Sequence, residues 1–203
     1  MKYCTQLVAL SLLGLSACVM PGLPPIEDSL VRSAELGKVN PTSIAVLEVE
    51  DRTNGEFVKP LLETMRRQLG ASLIDRYYSP LTSTYVDSRM QRAVKNASAG
   101  RVSRIETEFL ASLAGQANED AILAVQVTHW DQSSLLVSNQ VHFVAKVTMF
   151  ASAKKIVLWS GDMRGVVVAG GAGAAPRDPV ARAESAAREL IKELLNRLPK
   201  RRV

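Results

Sequence analysis

The chain has 203 residues, 47% of them hydrophobic and 22% charged, with a net charge of +5 and two cysteines. So few cysteines, both near the N-terminus at positions 4 and 18, exclude a disulfide framework or a cysteine metal site, and stability has to come from an ordinary core. The basic balance admits anionic partners. For an exported chain these are lipid headgroups, lipopolysaccharide or acidic proteins, and nucleic acid is not among them.

Export is read from the first residues, MKYCTQLVALSLLGLSAC. Lys2 gives a short positive region, Leu7 to Leu15 an apolar run, and small residues follow, which together make a secretory signal peptide. The run is far short of the roughly 20 residues that span a bilayer, and no later segment approaches that length, so no transmembrane helix is expected in the mature chain. Leu15-Ser16-Ala17-Cys18 resembles the bacterial lipobox. The resemblance implies cleavage before Cys18, acylation of its thiol and new amine, and an anchor held by about 0.8 kcal/mol per buried methylene. Val19 stands where an aspartate commonly marks inner-membrane retention, and by the same resemblance the outer membrane, on its periplasmic face, is expected.

Three regions follow: residues 1–17 as signal peptide, 18–41 as lipidated N-terminus and tether, and 42–203 as one α/β domain. Pro21, Pro24, Pro25 and Pro41 make the tether. Ser43 to Glu50 (SIAVLEVE) reads as a strand buried on both faces. Leu61, Leu62, Met65, Leu69 and Leu73, preceded by Phe57 and Val58, recur at helical spacing, and Pro60 must lie in that helix's first turn. Ile74 to Leu81 reads as a short strand around Tyr77 and Tyr78, ended by Pro80. Helices are expected from Val86 to about Ala97 and from Ile105 to Ala117.

Three strands come next: Ala121 to Trp130, Gln140 to Ser152, with Val141, Phe143, Ala145, Val147, Met149 and Ala151 on one face, and Lys155 to Ala169. Short turns between them predict antiparallel pairing. Asp178 should cap a final helix that Pro179 opens, with Val180, Ala183, Ala187, Leu190, Ile191, Leu194, Leu195 and Leu198 inward and Pro199 as its stop. The fold class is therefore α/β (α+β), a single domain with a mixed sheet of about five strands in the order β-α-β-α-α-β-β-β-α.

No cofactor is expected. Gly171 and Gly173 have the spacing of a dinucleotide-binding loop, but Pro176 stands at its third position and no second strand follows the helix. A flexible connection of small residues, a hinge without ligand, is the better reading. His129 and His142 could face one another across neighbouring strands, yet two histidines fall short of a zinc site. Glu48, Glu50 and Asp51 cluster at a strand end with no second acidic motif, and there is no G-x-S-x-G elbow, so no catalytic residue is assigned. One charge feature rises above background: Arg89, Arg92, Lys95, Arg101 and Arg104 occur with no intervening acid, and the chain ends LPKRRV. The five make a candidate anionic contact surface.

Several segments carry a family likeness: Tyr77-Tyr78 followed by Pro80 and Val86-Asp87, Asp120-Ala121-Ile122-Leu123 leading to Trp130-Asp131, and Leu158-Trp159-Ser160-Gly161. Over roughly residues 40 to 198 the chain resembles a family of small bacterial envelope lipoproteins of unassigned activity. That family is similar in fold to the curli secretion subunit CsgG, the peptidoglycan synthase activator LpoB and the N-terminal domain of TolB. The turn Ser152-Ala153-Lys154-Lys155 and Glu48 depart from its usual pattern. The resemblance implies a non-enzymatic role in assembly, secretion or envelope support through protein contacts. Other envelope proteins and further copies of the chain are the partners it allows. The alternative is a periplasmic module that binds an anionic headgroup or glycan.

Overall fold

In the computed structural model, residues 25–53, 59–98, 103–171 and 173–203 are described, apart from the side chains of 92–98. The predicted signal peptide and Cys18 lie outside them, as do Phe57 and Val58.

The sheet is built outward from its most apolar strands. β3 (Ser43–Val46) runs parallel to β6 (Ala121–Asp131), with Ile44 opposite Ala121 and Val46 opposite Leu123. The chain rejoins β6 at β4 (Glu50–Asp51), also parallel. On the other side of β6, β7 (Gln140–Ala151) and β8 (Ile156–Val168) continue as long antiparallel ladders. Each odd residue of β7 from Val141 to Ala151 is buried in the larger core, as the alternation predicts.

Helices cover both faces and make three layers. α2 (Lys59–Ile74) and α6 (Pro179–Asn196) pack side by side over one face. Leu61, Met65, Leu69 and Leu73, each four apart, meet Ala187, Leu190, Ile191, Leu194 and Leu195 in one buried cluster. Full burial of each large side chain stabilises by on the order of 2 kcal/mol. The Asp178 carboxylate accepts the Ala181 N–H at 2.7 Å, and Pro179 opens α6 as expected. Val180, by contrast, expected on the inward face, is 60% exposed in the first turn of α6. The opposite face carries α3 (Ser83–Ser98) and α4 (Thr107–Leu113), which with Ala45, Leu47, Ile122, Ala124 and Phe150 form a smaller core. A four-residue helix, α5 (Leu135–Ser138), bridges β6 and β7. Among the described residues no helix is long and apolar enough to cross a membrane.

Two sequence readings need correction. The tyrosines do not form a strand: α2 ends at Ile74, a closing turn carries the chain through them, and only Ser79–Pro80 (β5) pairs, parallel to β3. Tyr77 takes φ 67°, its N–H donates to Ile74 O (2.9 Å), and that of Tyr78 donates to Leu73 O (3.1 Å). This is the helix-closing geometry that usually places glycine where Tyr77 stands. Pro80 lies inside β5 without cost, since the donors to β3 are the N–H groups of Ser79 and Leu81.

The second correction concerns the expected tether. β1 (Glu27–Asp28) and β2 (Val31–Arg32) pair antiparallel with β8, and α1 (Leu36–Val39) follows. The folded unit thus begins by Ile26, not at residue 42. Ile26 and Leu30 pack against the larger core, and the sheet order becomes β1-β8-β7-β6-β3-β5. Two glycines of β8 make room: a Cβ on Gly161 (φ 150°) would lie 2.6 Å from Ser29 O, and one on Gly165 would lie 2.9 Å from the Ile26 side chain.

Glu35, just before α1, is held by the side chains of Lys154 at 2.8 Å and Lys38 at 2.6 Å. These hydrogen bonds, Lys154 first, lower its pKa from 4.5 to about 2. A carboxylate depressed in the folded state stabilises above its unfolded pKa and stops doing so as pH falls through the folded one. The tie between α1 and the β7–β8 turn is therefore expected to weaken between pH 4.5 and about 2. Titration of the Glu35 carboxyl by NMR checks this, and a midpoint near 4.5 would refute it.

Candidate functional site

The basic segment predicted as a contact surface is only partly a free one. Arg89 is exposed on α3, its guanidinium 5.5 Å from the Tyr85 ring centroid. Arg104 is committed: its Nη1 donates to Glu48 Oε2 at 2.9 Å, and it is only half-exposed. α3 carries Arg92 and Lys95 on its last turns, with side chains outside the described set, and Arg101 lies outside it altogether. Beside Arg104 is a cleft of about 210 Å³, walled by Leu47, Val86, Met90 and Phe109 and rimmed by Glu48 and Asp87. Its walls are apolar and both of its carboxylates are already paired, Glu48 with Arg104 and Asp87 with Arg66, which suits contact with an apolar group better than proton transfer.

The strand-end carboxylates have structural jobs. Glu50 Oε2 accepts from Ser103 Oγ (3.1 Å), Arg104 N (2.9 Å) and Gln126 Nε2 (2.9 Å), so it fastens the loop before α4 to β6. Asp51 Oδ1 accepts from Thr53 N and Oγ1, at 2.8 and 2.6 Å. A general base needs a free lone pair aimed at substrate. These carboxylates spend theirs on the backbone and on neighbouring side chains.

His129 and His142 do not face one another. The partner of His142 across the ladder is Asp131, while His129 stands opposite Val144 after a bulge that follows Val127. Both histidines are exposed. Asp131 is held below the usual carboxylate range, first by the Ser133 N–H (2.8 Å) and hydroxyl, with the two histidines adding a smaller pull. Among the described residues no cluster of histidine, cysteine and acid has the makings of a metal site.

The glycine-rich loop folds onto α6. Gly170 (φ 92°) donates its N–H to Ser185 Oγ at 2.8 Å, and a Cβ there would lie 2.8 Å from Ala175 N. A Cβ on Gly171 would meet the Glu189 carboxylate at 3.0 Å. An acidic side chain against the loop opposes a phosphate there.

The segments that carried the family likeness prove to be joints of the fold. The Asp87 carboxylate takes a two-pronged bond from Arg66 (2.8 and 2.7 Å), whose Nε and Nη2 also donate to Val46 O. Asp120 Oδ2 accepts the N–H groups of Thr42 (2.8 Å) and Ser43 (2.9 Å). Partial burial acts against it, yet those bonds hold its carboxyl below the usual range. Tyr78 Oη donates to Pro199 O at 3.0 Å, and Trp159 is buried. Arg66 and Glu119 were missed in sequence, because Val46 lies 20 residues from Arg66 and Ser152 lies 33 from Glu119, and no local pattern marks such pairs.

Helices on both faces of a mixed sheet define a single α/β domain. Similar solved structures bear on that fold. The PelC dodecamer from Paraburkholderia phytofirmans is 12% identical and matches with a TM-score of 0.52 over 88% of this chain and 100% of that one. Lipoprotein GNA1162 from Neisseria meningitidis is 20% identical, with a TM-score of 0.45 over 78% and 99%. LpoB from Escherichia coli is 12% identical, with a TM-score of 0.42 over 82% and 80%. At these identities the likeness concerns the fold alone, and only the first score carries weight. No family model and no curated protein matches the sequence.

Proposed function

We propose that this chain is an outer-membrane lipoprotein, anchored at Cys18 and facing the periplasm, that acts without catalysis as an assembly, secretion or envelope accessory factor through protein contacts. The observation that carries the reading is the fold shared with PelC over nearly the whole chain, PelC being a protein that assembles as a dodecamer. The lipobox-like Leu15-Ser16-Ala17-Cys18 supports the anchor. The structural engagement of Glu50, Asp51 and Asp120 supports the non-enzymatic part. The resemblance to an envelope lipoprotein family similar in fold to CsgG and the TolB N-terminal domain belongs to the same proposal.

Labelled palmitate should enter the wild-type chain and not Cys18→Ser, and cross-linking in intact envelopes should yield the chain with itself or with another envelope protein. An unlabelled chain overturns the anchor. A monomer without cross-linked partners overturns the contact role.

A further inference from the structure

We infer that the C-terminal tail and the N-terminal segment together build a binding site for a phosphate group. It lies apart from the Arg89–Arg104 segment and takes from the alternative reading only the idea of an anionic ligand.

A cleft of about 160 Å³ lies between the stretch leading into α1 and the last residues of the chain. Arg32, Lys200, Arg201 and Arg202 all line it, and none of its lining residues is acidic. Elsewhere the half-enclosed arginines of this fold have acceptors for their guanidinium groups: Arg66, Arg104 and Arg197 pair with Asp87, Glu48 and Asp28, Arg76 donates to Leu198 O and the Asn196 side chain, and Arg182 donates to backbone carbonyls. Among the described residues none of the four cations in the cleft forms an ion pair. Arg201 Nε is buried with no hydrogen-bond partner. An arginine donor withdrawn from water and left unmade is costly, and an oxyanion is the acceptor its planar fork fits. Three arginines and Lys200, whose ammonium also lies 5.5 Å from the Tyr77 ring centroid, favour a phosphate group over a single carboxylate.

The walls are set before any ligand arrives. Arg201 N–H donates to Arg76 O at 2.9 Å, and the Asn40 side chain bonds the Arg202 backbone twice, at 3.0 and 3.3 Å. Tyr78 Oη fixes Pro199, and burial pushes its phenol pKa up, so the donor keeps its proton. The Asp120 carboxylate reaches Arg201 only through its field. It does not line the cleft, and its bonds go to Thr42 and Ser43.

The test titrates inorganic phosphate, and separately glycerophosphoglycerol, into the full chain in neutral detergent and follows binding by calorimetry. Arg201→Gln and the exposed Arg32→Gln should each weaken binding about tenfold or more, while Arg92→Glu/Lys95→Glu should leave it unchanged. Tighter binding of glycerophosphoglycerol assigns a lipid headgroup, and equal binding assigns free phosphate. Arg32→Gln keeps the test valid if Arg201→Gln loosens the tail. No measurable binding of either probe overturns the site. Binding that survives both cleft variants and is lost in the Arg92/Lys95 variant overturns it too, while upholding the anionic reading at the other segment.

Discussion

Glu119→Ala should cost about 3–5 kcal/mol of unfolding free energy, a large share of what a domain of this size holds. Glu119 is 5% exposed, and its two carboxylate oxygens accept from Gly115 N (2.6 Å), Ala117 N (2.9 Å) and Ser152 Oγ (2.6 Å). One side chain thereby ties the turn after α4 to the turn between β7 and β8. Alanine removes the acceptor and leaves the Ala117 N–H and the Ser152 hydroxyl buried, each costing about 1–3 kcal/mol, while the exposed Gly115 N–H can turn to water. The Ser152 hydroxyl can rotate to another acceptor, which keeps the total below the full sum. Glu119→Gln, which keeps one oxygen but turns an NH₂ toward a donor, should cost about half as much. Ser152→Ala should cost about 1 kcal/mol, the usual worth of one hydrogen bond. Denaturant midpoints measure all three, and a Glu119→Ala loss under 1 kcal/mol would refute the account.

Gly161→Val should detach residues 26–33 from β8. The glycine has a backbone conformation that side chains rarely adopt, and a Cβ there runs into backbone, Ser29 O at 2.6 Å and Leu30 Cα at 2.8 Å. Backbone cannot step aside as the tip of a side chain can, so the segment has to lift. With it go the contacts of Ile26 and Leu30 with the core and the bonds from Ser29 N to Asp162 O and from Ser33 N to Leu158 O. The loss is about 3 kcal/mol, chiefly from two half-buried apolar side chains, the ladder bonds and local strain. Hydrogen exchange should show loss of protection confined to residues 26–33 and β8. Unchanged protection there would mean that the close approach is not what admits the segment.

How much of this was legible in the sequence depends on how far each signal reaches. The limits of α6 were legible because Asp178 and Pro179 act within one turn. So was the inward face of β7, whose alternation needs no knowledge of its neighbours. The pairing of β1 and β2 was not, since a proline-rich stretch reads as tether while its partners in β8 lie more than 120 residues on. Tyr77 misled for a different reason: two tyrosines suggest a strand, yet the chain uses one of them to close α2 in the left-handed region. Of the candidate contact surface, Arg89 and Arg104 were singled out together, but only the position of Glu48 in space separates the free cation from the paired one.

The margins of the sheet bear on how a partner could dock. On one side the sheet ends in Glu27–Asp28 and Val31–Arg32, and on the other in Ser79–Pro80, each only two residues long, one acidic and one containing proline. Such margins give an incoming chain almost no ladder to extend, which is how natural sheets avoid sticking to one another. Recognition by strand addition is thereby disfavoured at those two-residue strands. At those margins an incoming chain would meet side chains of helices and loops before it met a ladder, and single substitutions there can separate one contact from another.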